Sequence, residues 1–143
     1  MASNIANIWA DVLSTLQGVD ELAHVDDWPL DAETWVDQYI ASEGLLPAAH
    51  LGARQESEPA YRTCGSLGEI LPLRVTLIYT SNGPDATGRY GLRDAVIAAM
   101  ENDQSCGGYA EIVNTMATAI DRQEEFTTVM HIDFDIQHEW SPA

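Results

Sequence analysis

The feature that most constrains this chain is an alternation near its end. In FTTVMHIDFDIQHEW, residues 126–140, apolar and polar side chains trade places at almost every step. A strand sends successive side chains to opposite faces. Met130, Ile132, Phe134 and Ile136 then point into a core, and His131, Asp133, Asp135, Gln137 and Glu139 point the other way. The chain must therefore build a sheet with one apolar face. His138 falls on the core side near the strand end, where a half-buried, hydrogen-bonded imidazole is expected.

Other segments supply the partners. ILPLRVTLIYTS, residues 70–81, is rich in β-branched residues. It reads as a strand with Val75, Leu77 and Tyr79 on one side and Arg74, Thr76 and Ile78 on the other. YAEIVNTMATAID, residues 109–121, reads as a strand with Ile112, Asn114, Met116 and Ile120 on one side. RQEE, residues 122–125, turns it into the final strand as a hairpin. AAHLGARQESEP, residues 48–59, reads as a strand that becomes polar, and YRTCGSLGE, residues 61–69, as a loop or hairpin tip.

Three segments carry helical periodicity. Ile5, Ile8, Trp9, Val12, Leu13 and Leu16 form one stripe, with Ser3 or Asn4 to cap it and Gly18 to end it. DAETWVDQYIASEG, residues 31–44, predicts a short helix capped by Asp31, with Trp35, Val36, Tyr39 and Ile40 on one face and Gly44 as its stop. LRDAVIAAMEN, residues 92–102, predicts another, with Leu92, Ala95, Val96, Ala99 and Met100 in line. Residues 20–30 read as irregular and acidic. The expected fold is one α+β domain over residues 1–143: a mostly antiparallel four-stranded sheet, with the N-terminal amphipathic helix and a second helix packed on one face.

Charge narrows the function. Twenty-three acidic residues face six basic ones, all arginine, for a net charge of −17. Such a chain repels phosphate, which argues against sequence-specific nucleic-acid binding and against an anionic membrane as partner. The acid is dispersed, not gathered in a tail, and a high-salt habitat would account for it as well as a functional need. No apolar run is long enough to cross a membrane, and MASNIANIWADVL reads as mature protein, not a signal peptide. Cys64 and Cys106 make no zinc framework and are expected as free thiols.

Candidate chemistry is sparse. His131, Asp133 and Asp135 alternate along one strand face, within reach of one divalent ion. The same alternation marks any half-solvated sheet face, and a solvated acidic face is the preferred reading. Gly83 and Gly88 have the spacing of a phosphate-binding loop, but Arg89 and Tyr90 stand where lysine and Ser or Thr are required. Cys64 with His50, or Cys106 with His131, would need an activated thiol, and nothing local activates either. No catalytic residue, cofactor or metal is expected. Trp9, Trp28, Trp35 and Trp140 are expected as core or interface anchors.

The layout resembles a known family. An amphipathic N-terminal helix, a strand opening with LPAAHLG, a polar loop-rich stretch, the strand PLRVTLIYTS, a Gly-rich break, the helix YGLRDAVIAAM and two final strands ending MHIDFDIQHEW follow one another. This order is similar to that of tail terminator proteins of long-tailed phages and viruses. The acidity and the additional DAETWVDQYIASEG segment depart from it. The resemblance implies a structural virion protein without enzymatic activity, assembled in the host cytoplasm. It implies a homohexameric ring that caps the head-proximal end of the tail tube. The partners implied are the tail tube protein, the head-side connector or stopper, and double-stranded DNA in passage. Asp133, Asp135 and Glu139, or the RQEE loop, would then face the lumen, and ring contacts would come from strand edges and the ARQESEPAYRTCGSLGE stretch. The alternatives are another neck or tail-completion protein and, in a different class, a small metal-dependent enzyme using His131, Asp133 and Asp135. A halophilic binding module, its acid serving only hydration, is a fourth.

Overall fold

The computed structural model describes residues 2–3, 5–28, 31–40, 47–54, 58–63, 66–80, 86–123 and 127–141. Its elements run β1 (Ala2–Ser3), α1 (Ile5–Gln17), β2 (His24–Asp26), α2 (Ala32–Ile40), β3 (Ala48–Ala53), β4 (Glu58–Thr63), β5 (Ser66–Thr80), α3 (Ala86–Asn102), β6 (Ile112–Gln123) and β7 (Thr127–Ser141).

The two most alternating segments form the spine. β5 and β7, 15 residues each, pair antiparallel from Leu67↔Trp140 to Thr80↔Thr127. At about 3.3 Å per residue they are roughly 50 Å long. β6 lies antiparallel on the far side of β7, as a hairpin requires. Since β5 and β6 both oppose β7, they are parallel to each other, and α3 makes the crossover between them. β3 pairs antiparallel with the other side of β5, and β2 pairs parallel with β3. That parallel pair again needs a crossover, which is α2. β1 adds to the end of β7 and β4 to the start of β5.

The core lies between one sheet face and two helices. Ile8, Val12 and Leu16 of α1 and Leu92, Val96 and Met100 of α3 pack with Leu73, Val75, Leu77, Ile132, Phe134 and Ile136. α1 ends where Gly18 donates its N–H to the carbonyls of Ser14 and Thr15. A separate cluster forms on the opposite face: Trp35 and Val36 of α2 with Ala48, Ile78 and Val129. Asp31 caps α2, accepting the Glu33 N–H at 3.0 Å and the Thr34 hydroxyl at 2.8 Å. Those two bonds, the hydroxyl first, hold its carboxyl below the usual range.

β2 ties both layers to the sheet. Adjacent strand residues point to opposite faces, and here two neighbouring aspartates do so usefully. Asp26 accepts the Trp35 indole N–H from α2 at 3.0 Å, and Asp27 accepts the Trp9 indole N–H from α1 at 3.0 Å.

Several expectations are corrected. Among the described residues the sheet has seven strands, not four. The additions are β1, β2, which sits inside the stretch read as irregular, and β4. Residues 61–63 and 66–69, read as loop or tip, are strand. α1 and α3 share one face as expected, but α2 covers the other one. α3 begins six residues before Leu92, at Ala86. Ser3 is strand. Asn4, Gly44, Cys64, Gly83, Glu124 and Glu125 lie outside the described residues.

Candidate functional site

The polar face of β7 is where sequence placed the chemistry, and the sheet register turns it into ordered rows. One row crosses four strands as His50, Thr76, His131 and Ala119; the next as Gly52, Arg74, Asp133 and Ala117. Asp135 lies opposite Pro72 and Asn114. The alternation is as expected: Met130, Ile132, Phe134 and Ile136 are buried, while His131, Asp133, Asp135 and Gln137 are half-buried and Glu139 exposed.

The carboxylates on this face are taken. Arg74 grips Asp133 with two parallel bonds, Nε to Oδ1 at 2.7 Å and Nη2 to Oδ2 at 3.1 Å. Arg54 donates Nη2 to Asp135 Oδ1 and to the Phe134 carbonyl, the latter at 2.9 Å. A bidentate guanidinium–carboxylate fork is the strongest common form of ion pair. His131 Nδ1 sits 3.0 Å from the Thr76 hydroxyl. Sequence therefore grouped His131, Asp133 and Asp135 correctly on one face. What it missed is that two arginines neutralise both aspartates. Among the described residues, no three His, Cys, Asp or Glu side chains are arranged to hold a metal ion.

His138 is fully buried, and neither ring nitrogen has a hydrogen-bond partner among the described residues. The expectation of a half-buried, bonded imidazole is corrected: the strand continues straight through the core edge, so alternation carries position 138 inside. Cys106 is buried on the core face, and His131 is on the other face of the sheet, so the two do not form a pair. Of the tryptophans, Trp35 is buried, Trp9 half-buried and Trp28 71% exposed.

Two further features had no clear sequence signal. The first is a carboxyl pair where α1 meets the turn after α3. Asp11 Oδ2 is buried, and among the described residues the polar group beside it is the Asp103 carboxyl. Burial, then the Asp103 carboxyl, pushes the Asp11 pKa up from 3.8 to about 6. Asp103 also accepts the Gly107 N–H at 3.1 Å. Gly107 has φ +71°, so any other residue there is strained, and its Cβ would stand 2.8 Å from Asp11 Oδ1 and displace that carboxylate. Cys106 takes φ 47° in the same turn. Burial, then the two aspartates, pushes its thiol up to about 12, far from reactive.

The second is the outer edge of β6. It has a strand partner only on its β7 side among the described residues. Thr118, Ala119 and Ile120 there border a groove of about 290 Å³, closed by Tyr90, Arg93 and Met130. The Arg93 guanidinium lies 4.7 Å from the Tyr90 ring centre.

A scan against protein-family models finds no match to this chain, and a search of curated proteins finds none.

Proposed function

We propose that this chain is a non-catalytic structural subunit of a viral particle, a tail terminator. In this reading six copies form a ring at the head-proximal end of the tail tube. The ring stops tube growth, offers a surface to the head-side connector and lets double-stranded DNA pass. The observation that carries the reading is a division of labour on the surface. The polar face that would host chemistry is locked into Arg–Asp pairs, while, among the described residues, four of the five large exposed apolar side chains fall between positions 109 and 120, in or just before β6. That is the layout of a scaffold, not of a reagent. The order of elements, with its long β5–β7 pair, supports the same reading.

The lumen assignment changes in detail. Asp133 and Asp135 would bring no net charge to a channel, because Arg74 and Arg54 match them. The excess of carboxylate lies in the segment 20–37 instead. That segment holds Asp20, Glu21, Asp26, Asp27, Asp31, Glu33 and Asp37 with no lysine or arginine. Excess carboxylate along a channel keeps DNA from sticking. The rival reading, a metal-dependent enzyme, loses support from the same pairs, since two of its three ligands already serve arginines.

Light scattering at native salt with negative-stain imaging tests the proposal. A closed six-fold ring with a hole wide enough for duplex DNA is expected. A species that stays monomeric at high concentration overturns it.

A further inference from the structure

Among the described residues, left-handed backbone is confined to one turn. Cys106, Gly107 and Gly108 take φ 47°, 71° and 98° in succession. Such a run is costly for a residue with a Cβ and persists only where its surroundings hold it. The turn's own bonds are internal. The Asp103 carbonyl accepts the Cys106 N–H at 3.1 Å, and the Ser105 carbonyl accepts those of Gly108 at 3.0 Å and Ala110 at 2.7 Å. The turn can therefore move as a unit. What holds it down lies outside it. Cys106 packs into the core with Ile8 and Val12 of α1, Gln104 accepts the Val113 N–H at 3.0 Å, and Asp103 meets Asp11.

That last contact joins two carboxyls. Asp11 Oδ2 is buried, and the Gly107 N–H donates to Asp103 Oδ1 at 3.1 Å. A Cβ on Gly107 would stand 2.8 Å from Asp11 Oδ1, so the turn's backbone lies against the pair. Two touching carboxylates out of water disfavour double ionisation, whereas with one proton between them an O–H donates to the facing oxygen. The groups around the pair offer no cation in exchange. From the turn, Asp103 and the buried Cys106 thiol are its titratable neighbours. On α3, Glu101 accepts the Thr115 hydroxyl, and Arg93 is held by Asp94 and Tyr90. On β2, Asp27 accepts the Trp9 indole N–H and His24 is bound to Asp26.

We propose that Asp11 and Asp103 form a proton-operated latch: sharing one proton they hold the 103–109 turn on α1, and losing it they release the turn and uncover Cys106. The sign follows from Asp11, whose pKa is raised from 3.8 to about 6 in the closed turn. The proton's contribution to closure is complete below the lower value and lost as pH rises through the upper one. Above that the open fraction levels off.

The test measures how fast Cys106 reacts with dithiodipyridine in the full chain carrying Cys64→Ser, so that one thiol reports. Each rate is divided by that of glutathione at the same pH, which removes the thiol's ordinary pH dependence. The ratio is expected to climb at least about tenfold between about pH 4 and about pH 7, then to level off. A ratio that is flat over this range overturns the latch. Asp11→Asn and Asp103→Asn each place an amide donor in the pair that no pH removes, so both variants are expected to stay low and flat. A folded variant that climbs like the parent overturns the assignment to these two residues. Local opening leaves the ratio insensitive to about 1 M urea; a ratio that rises steeply with urea would place the exposure in global unfolding and overturn the latch.

Discussion

At the scale of single residues, the Arg–Asp pairs decide what the polar face can do. The Asp133 side chain is 16% exposed and its partner Arg74 39% exposed, so solvent screens the pair only in part. Removing one partner strands a half-buried charge, which costs more than the pair contributes. Arg74→Met is expected to lower stability in urea unfolding by about 1–2 kcal/mol. Adding Asp133→Asn should recover most of that loss, leaving a coupling of about 1 kcal/mol. A loss in the double variant equal to the sum of the two single losses would mean that the fork carries nothing. The alternation on β7 was legible because strand geometry acts between neighbours. The arginines were not, because Arg54 is 81 positions from Asp135 and Arg74 is 59 from Asp133. His138 gives the opposite sign of effect. Its buried nitrogens are desolvated without hydrogen-bond partners among the described residues, and filling the site with carbon removes that penalty. His138→Leu is expected to stabilise by about 1 kcal/mol, a rise of roughly 3–5 °C in melting temperature. A fall of that size would show that the imidazole is held by bonds to water.

At the scale of elements, periodicity revealed which segments have apolar stripes but not where those stripes land. Trp35 and Val36 were assigned to one helix face correctly, yet that face meets Ala48, Ile78 and Val129 on the side of the sheet away from α1. The reason is the β2–α2–β3 crossover, and β2 has only three residues, too few for any alternation to register. β4 escaped for another reason: its pairing with β5 is a long-range matter, while its composition looks like a turn. The junction of α1 with the turn after α3 was equally hidden, because Asp11 and Asp103 lie on segments far apart in sequence. It makes a pH-dependent contact. A folded-state pKa raised from 3.8 to about 6 means that protonated Asp11 favours folding. That contribution is complete below the unfolded value and is lost as pH rises through the folded one. In Asp11→Asn the amide donates to Asp103 at every pH. The variant should match the wild type at about pH 4 and exceed it at about pH 7.5, by no more than about 1 kcal/mol given solvent screening. Urea midpoints across that interval check this; a constant difference between the two proteins would show that Asp103 does not share the Asp11 proton.

At the scale of the whole molecule, composition and element order were enough for an α+β domain with a final hairpin, since both follow from local patterns. The strand count and the sharing of helices between two faces were not, since they depend on which edges meet. Charge acts at this scale too, and it separates two accounts of the acid. A net charge of −17 over 143 residues, without lysine, makes the folded chain repel itself and its copies. Screening weakens that repulsion, because the Debye length falls from ~10 Å at 0.1 M salt to ~3 Å at 1 M. Melting temperature and the assembled fraction should therefore both rise over this range, smoothly, and by the same amount in NaCl and KCl. The arginine forks oppose the trend weakly, since salt also screens attraction, but 23 carboxylates against six arginines leave most of the acid unmatched. If the whole rise instead appeared at micromolar levels of one divalent cation, the carboxylates would be binding an ion. Screening would then not be the cause, and the account of this surface as a solvated scaffold would fail.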